Sequence, residues 1–86
     1  MHGSIQQAIR PRVRLRVAEW EKATRARNLP NNAACASLLG TSESTISRVT
    51  SGAVEPSQKF IAASLWHFDA LTFEQLYEIV VARADQ

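Results

Sequence analysis

Helix-breaking residues set hard limits on what this chain can build. It contains only three glycines and three prolines, and four of those six residues stand between positions 30 and 56. Pro30 bars the preceding residue from helical geometry, while Gly40 and Gly52 suit the left-handed position that ends a helix. The spacing therefore predicts a helix over 32–39, with Asn31 as its N-cap, and a second over 43–50, capped by Ser42. Ser57, after Pro56, caps a third helix running to Trp66–Phe68. Thr72-Phe73-Glu74-Gln75 has the form of a capping box and opens a last helix reaching about Ala84.

Upstream of Pro30, Val13, Val17, Trp20 and Thr24 share one helical face, and Pro11 fits the first turn of such a helix. Val13, Leu15 and Val17 also alternate with arginines, which permits a strand for that stretch alone. The breaker-free continuation through Trp20, Ala23 and Ala26 favours helix. Ser4-Ile5-Gln6-Gln7 has capping-box form and opens a short helix ahead of Pro11. Met1 to Ser4 carries no functional weight. The expected class is all-α, a compact arrangement of five helices, with a basic lead-in over 1–11, a central domain over 12–70 and a C-terminal helix within 71–86.

Eighty-six residues, 45% of them apolar, suffice for one modest core and exclude a large enzyme scaffold or an enclosed cofactor cavity. One cysteine rules out an intramolecular disulfide and a multi-thiolate metal cage, and fits a reducing cytoplasm. No apolar run approaches the ~20 residues of a membrane span, and no signal-peptide core is present. Net charge is only +2 but unevenly placed: residues 1–28 carry +5 and residues 29–86 carry −3. A basic block suggests a polyanionic partner, and an acidic far end suggests a face turned away from it.

The segment from Asn32 to Ser51 holds the functional signal. An apolar-faced helix ends in glycine, a short turn follows, and a second helix is rich in small polar residues. In a helix-turn-helix the first helix braces on the DNA backbone and the second lies in the major groove. Ala36 supplies the small residue needed where the two helices pack closely, and Gly40 the turn. Cys35, Leu39, Ile46 and Val49 face the core. Glu43, Ser44, Ser47 and Arg48 are left exposed.

From Ala36 to Val49, and on through Ser51-Gly52 and Pro56-Ser57, the sequence resembles the lambda-repressor-like (Cro/cI-type, XRE-type) DNA-binding domain, including phage Cro-like regulators. The resemblance spans roughly residues 12–70. It departs from the usual pattern at Thr41, where an aliphatic residue is common, at Asn32, which replaces a glutamine, and at Cys35, which replaces a leucine or isoleucine. It implies four or five helices and a transcriptional regulator, most simply a repressor. By position it places Glu43, Ser44, Ser47 and Arg48 against base edges. Asn32, Ser42 and Thr45 fall on the DNA backbone. Arg48 has the chemistry to fork onto guanine, and Glu43 to accept from cytosine; Glu43 also suits the positive end of its helix dipole.

Arg12, Arg14 and Arg16, continuing from Arg10, are candidates to grip phosphates, directly or through a minor-groove arm, with a solvated helix face as the plain alternative. Trp20, Trp66 and Phe68 fall at core spacing, His67 is a helix-end residue, and Cys35 a buried inert thiol. Glu74 and Glu78 make an acidic pair on the last helix without a catalytic partner. That helix carries an apolar arc wider than one core stripe, which marks Phe73, Tyr77, Val80 and Val81 as a homodimer interface. The expected partners are double-stranded DNA and a second copy, with no enzymatic activity, metal, cofactor, small-molecule ligand or membrane. Two rival functions are an antitoxin-like interaction module acting through the C-terminal helix, and an accessory subunit guiding an enzyme to DNA.

Overall fold

The computed structural model describes residues 9–83. Along the chain these form β1 (Ile9–Leu15), α1 (Val17–Ala26), α2 (Asn32–Leu39), α3 (Glu43–Ser51), α4 (Gln58–His67), a single-turn α5 (Phe73–Leu76) and β2 (Tyr77–Arg83). The short helix expected from Ser4 to Gln7 lies outside the described residues.

The all-α expectation is overturned at both ends. β1 and β2 pair antiparallel, with Leu15 opposite Tyr77, Val13 opposite Ile79 and Ile9 opposite Arg83. The fold is a mixed α/β one, five helices joined to a two-stranded sheet. The reason lies in the side chains. Ile9, Pro11, Val13 and Leu15 alternate with arginines, so a strand sorts them onto opposite faces where a helix would mix them. Ile79, Val80 and Val81 are three consecutive β-branched residues, poor helix formers that suit a pleated surface. The wide apolar arc read from 73–84 was thus two short elements, one helical turn and one strand. Glu74 and Glu78 accordingly do not share a helix, and the segments flanking residues 12 and 70 meet in one sheet.

Between the strands, the punctuation operates as the sequence predicts. The side chains of Asn31, Ser42 and Ser57 accept hydrogen bonds from the backbone of Ala34, Thr45 and Phe60 at 2.9, 3.1 and 3.1 Å. Thr72 and Gln75 close the capping box. Gly40 and Gly52 have φ of +70° and +82°, a region that penalises any residue with a Cβ. Asn28, at φ +57°, ends α1 in the same way, helped by the tolerance of asparagine for that region.

The core gathers Trp20 from α1, Ile46 and Val49 from α3, Phe60 from α4, and Leu15 and Tyr77 from the sheet. Trp20 lies 5.6 Å from Phe68 in an edge-to-face contact and 5.9 Å from Phe60. Trp66 departs from expectation: it is 79% exposed, because Phe60, Ser64 and Phe68 supply the inward face and residue 66 falls on the opposite side of α4.

Tyr77 is 1% exposed and its hydroxyl sits 2.6 Å from Ser64 Oγ, which itself donates to the carbonyl of Ile61 at 2.8 Å. Burial pushes the phenol up to about 12. Its neutral form is thus favoured in the folded state, so this contribution is intact below the unfolded value of about 10 and is lost as pH climbs towards 12. Alkaline unfolding followed by circular dichroism should show a stability loss of about 2 kcal/mol across that interval. Tyr77→Phe should flatten the loss, and a wild-type curve that stays level from pH 10 to 12 would contradict the assignment.

Candidate nucleic-acid interface

The α2–turn–α3 unit is assembled from local rules before tertiary contacts act. Asn31 starts α2, Gly40 stops it with its own N–H on Ala36 O, and Thr41 adds a second bond to the same carbonyl at 3.0 Å. Two residues later Ser42 starts α3. Its hydroxyl lies 3.2 Å from that of Ser44 and 2.9 Å from that of Thr45, so it is held as a cap. Ala36 is buried, α2 and α3 pack on each other, and Ile46 and Val49 are the buried residues of α3.

The opposite face of α3 presents Glu43, Ser44, Ser47 and Arg48 to solvent, with Ser51 at its end. Among the described residues, the side chains of Glu43, Ser47 and Arg48 take part in no salt bridge. The four residues expected at base edges therefore share one open surface. Thr45 is half-buried beside Ser42, and Asn32 is exposed in the first turn of α2. Thr50 is half-buried, its hydroxyl donating to the carbonyl of Ile46 at 2.9 Å. No helix among the described residues is long and apolar enough to cross a membrane, and no group of three metal-ligating side chains occurs among them.

The arginine series divides. Arg10, Arg12 and Arg14 share one face of the ribbon, opposite Ala82, Val80 and Glu78. Residues two apart on a strand stand about 6.8 Å apart, close to the step between successive phosphates on one DNA strand. Arg12 and Arg14 border a cleft with Gly52 and Val54, which sets them against the C-terminal end of α3. Arg16 has another task. Its Nε donates to the carbonyls of Glu74 and Tyr77, both at 3.1 Å, and its terminal nitrogen lies 3.3 Å from Glu78. Glu78 also holds Arg14 at 3.0 Å, so one carboxylate ties two arginines to β2. Arg16 thereby anchors the ribbon to α5, a role its place in the basic run did not reveal.

Among the residues expected at a dimer contact, Phe73 is half-buried and stacks on Tyr77 with ring centres 5.3 Å apart. Tyr77 has no surface to offer, being part of the core. Val80 is half-buried on the arginine face, and Val81 is 60% exposed on the other. Cys35 is buried, and burial raises its thiol above the ordinary value, which makes it unreactive.

No family model matches this chain. Neither a curated protein nor a solved structure was found similar to it. The functional reading therefore stands on the geometry of α2, α3 and the arginine face.

Proposed function

We propose that this chain is a sequence-specific DNA-binding regulator of transcription, a repressor acting in a reducing cytoplasm. The resemblance to the lambda-repressor-like domain agrees with this reading, with the ribbon as an addition to the helical pattern. One observation carries it above others: the exposed face of α3 offers Glu43, Ser44, Ser47 and Arg48 together, on a helix held rigid by a serine cap, a left-handed glycine and a buried apolar underside. Such a helix fits the major groove, whose base edges reward a guanidinium on guanine and a carboxylate on cytosine. Arg12 and Arg14, beside the end of α3, would meet phosphates flanking the groove, while Asn32 and Ser42 meet them at the helix N-termini. Two copies would read half-sites one turn apart, about 34 Å centre to centre.

Selection from a pool of random duplexes tests the proposal directly. The expected result is an enriched motif with at least one fixed guanine, and two inverted copies of it. Recovery of no motif would overturn the proposal. It would turn attention to the interaction-module reading, which the exposed Trp66 favours, since tryptophan is a common anchor at protein interfaces.

A further inference from the structure

The link between α3 and α4 makes one bond that neither helix needs. Gly52 ends α3 and Ser57 starts α4, so the link is only Ala53 to Pro56. It is held at both ends. The carbonyl of Arg48 accepts from the N–H of Ala53 at 2.9 Å and from that of Val54 at 3.3 Å. At the far end Pro56 is buried, and the Ser57 hydroxyl caps α4. Between these fixed points Glu55 is exposed, and its carboxylate accepts from the N–H of Val13 at 2.8 Å. Val13 stands on β1 between Arg12 and Arg14, 42 residues earlier in the chain. Fixed groups thus lead from the backbone of Arg48, through the link, to the strand that carries the arginine face. Among the described residues, no other hydrogen bond ties residues 9–14 to an element besides β2. A carboxylate is a costly choice for that tie. An exposed negative charge flanking Arg12 and Arg14 opposes the capture of a polyanion, and Glu55 joins no salt bridge among the described residues.

We propose that Glu55 is a positioning residue that sets Arg12 and Arg14 at a fixed offset from Arg48. When the two arginines grip phosphates, α3 is then already in register with the base edges. Specificity thereby depends on a residue that reads no base. The inner end of the ribbon is anchored without Glu55, since Leu15 is buried and Arg16 donates to the carbonyls of Glu74 and Tyr77. Outward from Leu15 the strand leaves the core: Arg10, Pro11, Arg12 and Arg14 are exposed and Val13 is half-buried. The Glu55 bond fixes this outer part against the end of α3 during folding, so that its ordering is not left to the moment of binding. Without the bond the arginines still find phosphates on any duplex, because that attraction is independent of sequence. What is lost is the register in which phosphate contacts place the reading helix. This inference rests on the DNA reading above and goes beyond it by naming what couples its two sets of contacts.

Comparing Glu55→Gln with Glu55→Ala separates the bond from the charge. Both variants remove the negative charge, but glutamine keeps a carbonyl oxygen able to accept from Val13. Glu55 is exposed, so the circular dichroism of both should match the wild type. The first arm needs no DNA. Spin labels at Arg10→Cys and Ser47→Cys, with the buried Cys35 left unlabelled, report the distance from ribbon to reading helix by pulsed electron resonance. One narrow distribution is expected with Glu55 or Glu55→Gln, and a broad one with Glu55→Ala. A distribution unchanged by Glu55→Ala would overturn the proposal. In the second arm, Glu55→Ala should bind the selected duplex roughly five-fold more weakly than Glu55→Gln, the equivalent of one ordinary hydrogen bond. The two variants should bind unrelated duplex equally. If they also bind the selected duplex equally, and both more tightly than the wild type, Glu55 acts as a charge alone and the proposal fails. A distribution broadened by Glu55→Ala, with no motif selected from random duplex, would uphold the positioning role and discard the DNA reading alone.

Discussion

Leu15→Ala should destabilise the protein by about 2–5 kcal/mol, the range for emptying a buried leucine site. The side chain is 2% exposed and lies opposite Tyr77, where the ribbon meets the helices. At about 0.05–0.15 kcal/mol per residue, an 86-residue chain has roughly 4–13 kcal/mol in all, so this loss is a large part of it. Urea unfolding followed by tryptophan fluorescence should show a midpoint shifted far down or no folded baseline, with Arg12→Ala close to wild type as the surface control. A loss under about 0.5 kcal/mol, typical of surface changes, would mean that residues 9–15 form a loose basic arm and not a structural strand.

Arg48→Ala should reduce affinity for the selected site by about 1–3 kcal/mol, roughly 5- to 150-fold, while leaving binding to unrelated duplex nearly unchanged. The guanidinium is exposed and engaged by no carboxylate among the described residues, so its removal strands no buried partner. The variant should also lose its preference at one base pair, which marks base reading apart from phosphate binding. Paired replacement of Arg12 and Arg14 provides the contrast: affinity should fall on all duplexes alike, and the slope of log affinity against log salt should flatten by up to about two units. Arg48→Ala falling equally on every sequence would place Arg48 on the backbone and leave α3 without its principal reader.

The middle of the chain was legible because its signals are local. Asn31, Ser42, Ser57 and the Thr72–Gln75 box cap helices through bonds spanning three residues, and Gly40 and Gly52 end them through their own φ, so no distant contact is needed to read them. The exposed set Glu43, Ser44, Ser47 and Arg48 follows from the same short-range pattern once Ile46 and Val49 are placed inward. The ends were misread because their structure depends on each other. Val13 and Leu15 fit helix or strand equally well, and the pairing with Ile79 and Tyr77 decides between them. Pro11 reads as a helix start, yet in the ribbon its missing N–H points away from the ladder and costs nothing. Trp66 was assigned inward on its spacing with neighbouring apolar residues, where Ser64, small and hydrogen-bonded to Tyr77, takes the buried place. The task of Arg16 rests on two carbonyls and a carboxylate about sixty residues away, beyond any local pattern.

That long-range pairing also orders events in time. The first described element of the chain cannot complete its hydrogen bonds until the last has been synthesised, so a growing chain holds β1 without a partner while α1 to α4 find their local contacts. Helices closed by near neighbours form quickly, whereas joining segments this far apart carries the loop-closure entropy of nearly the whole chain. Leu15 and Tyr77 thus act as a late clasp, and the arginine face takes its final shape only when that clasp shuts. Synthesis would leave this protein with α3 formed first and its arginine face last.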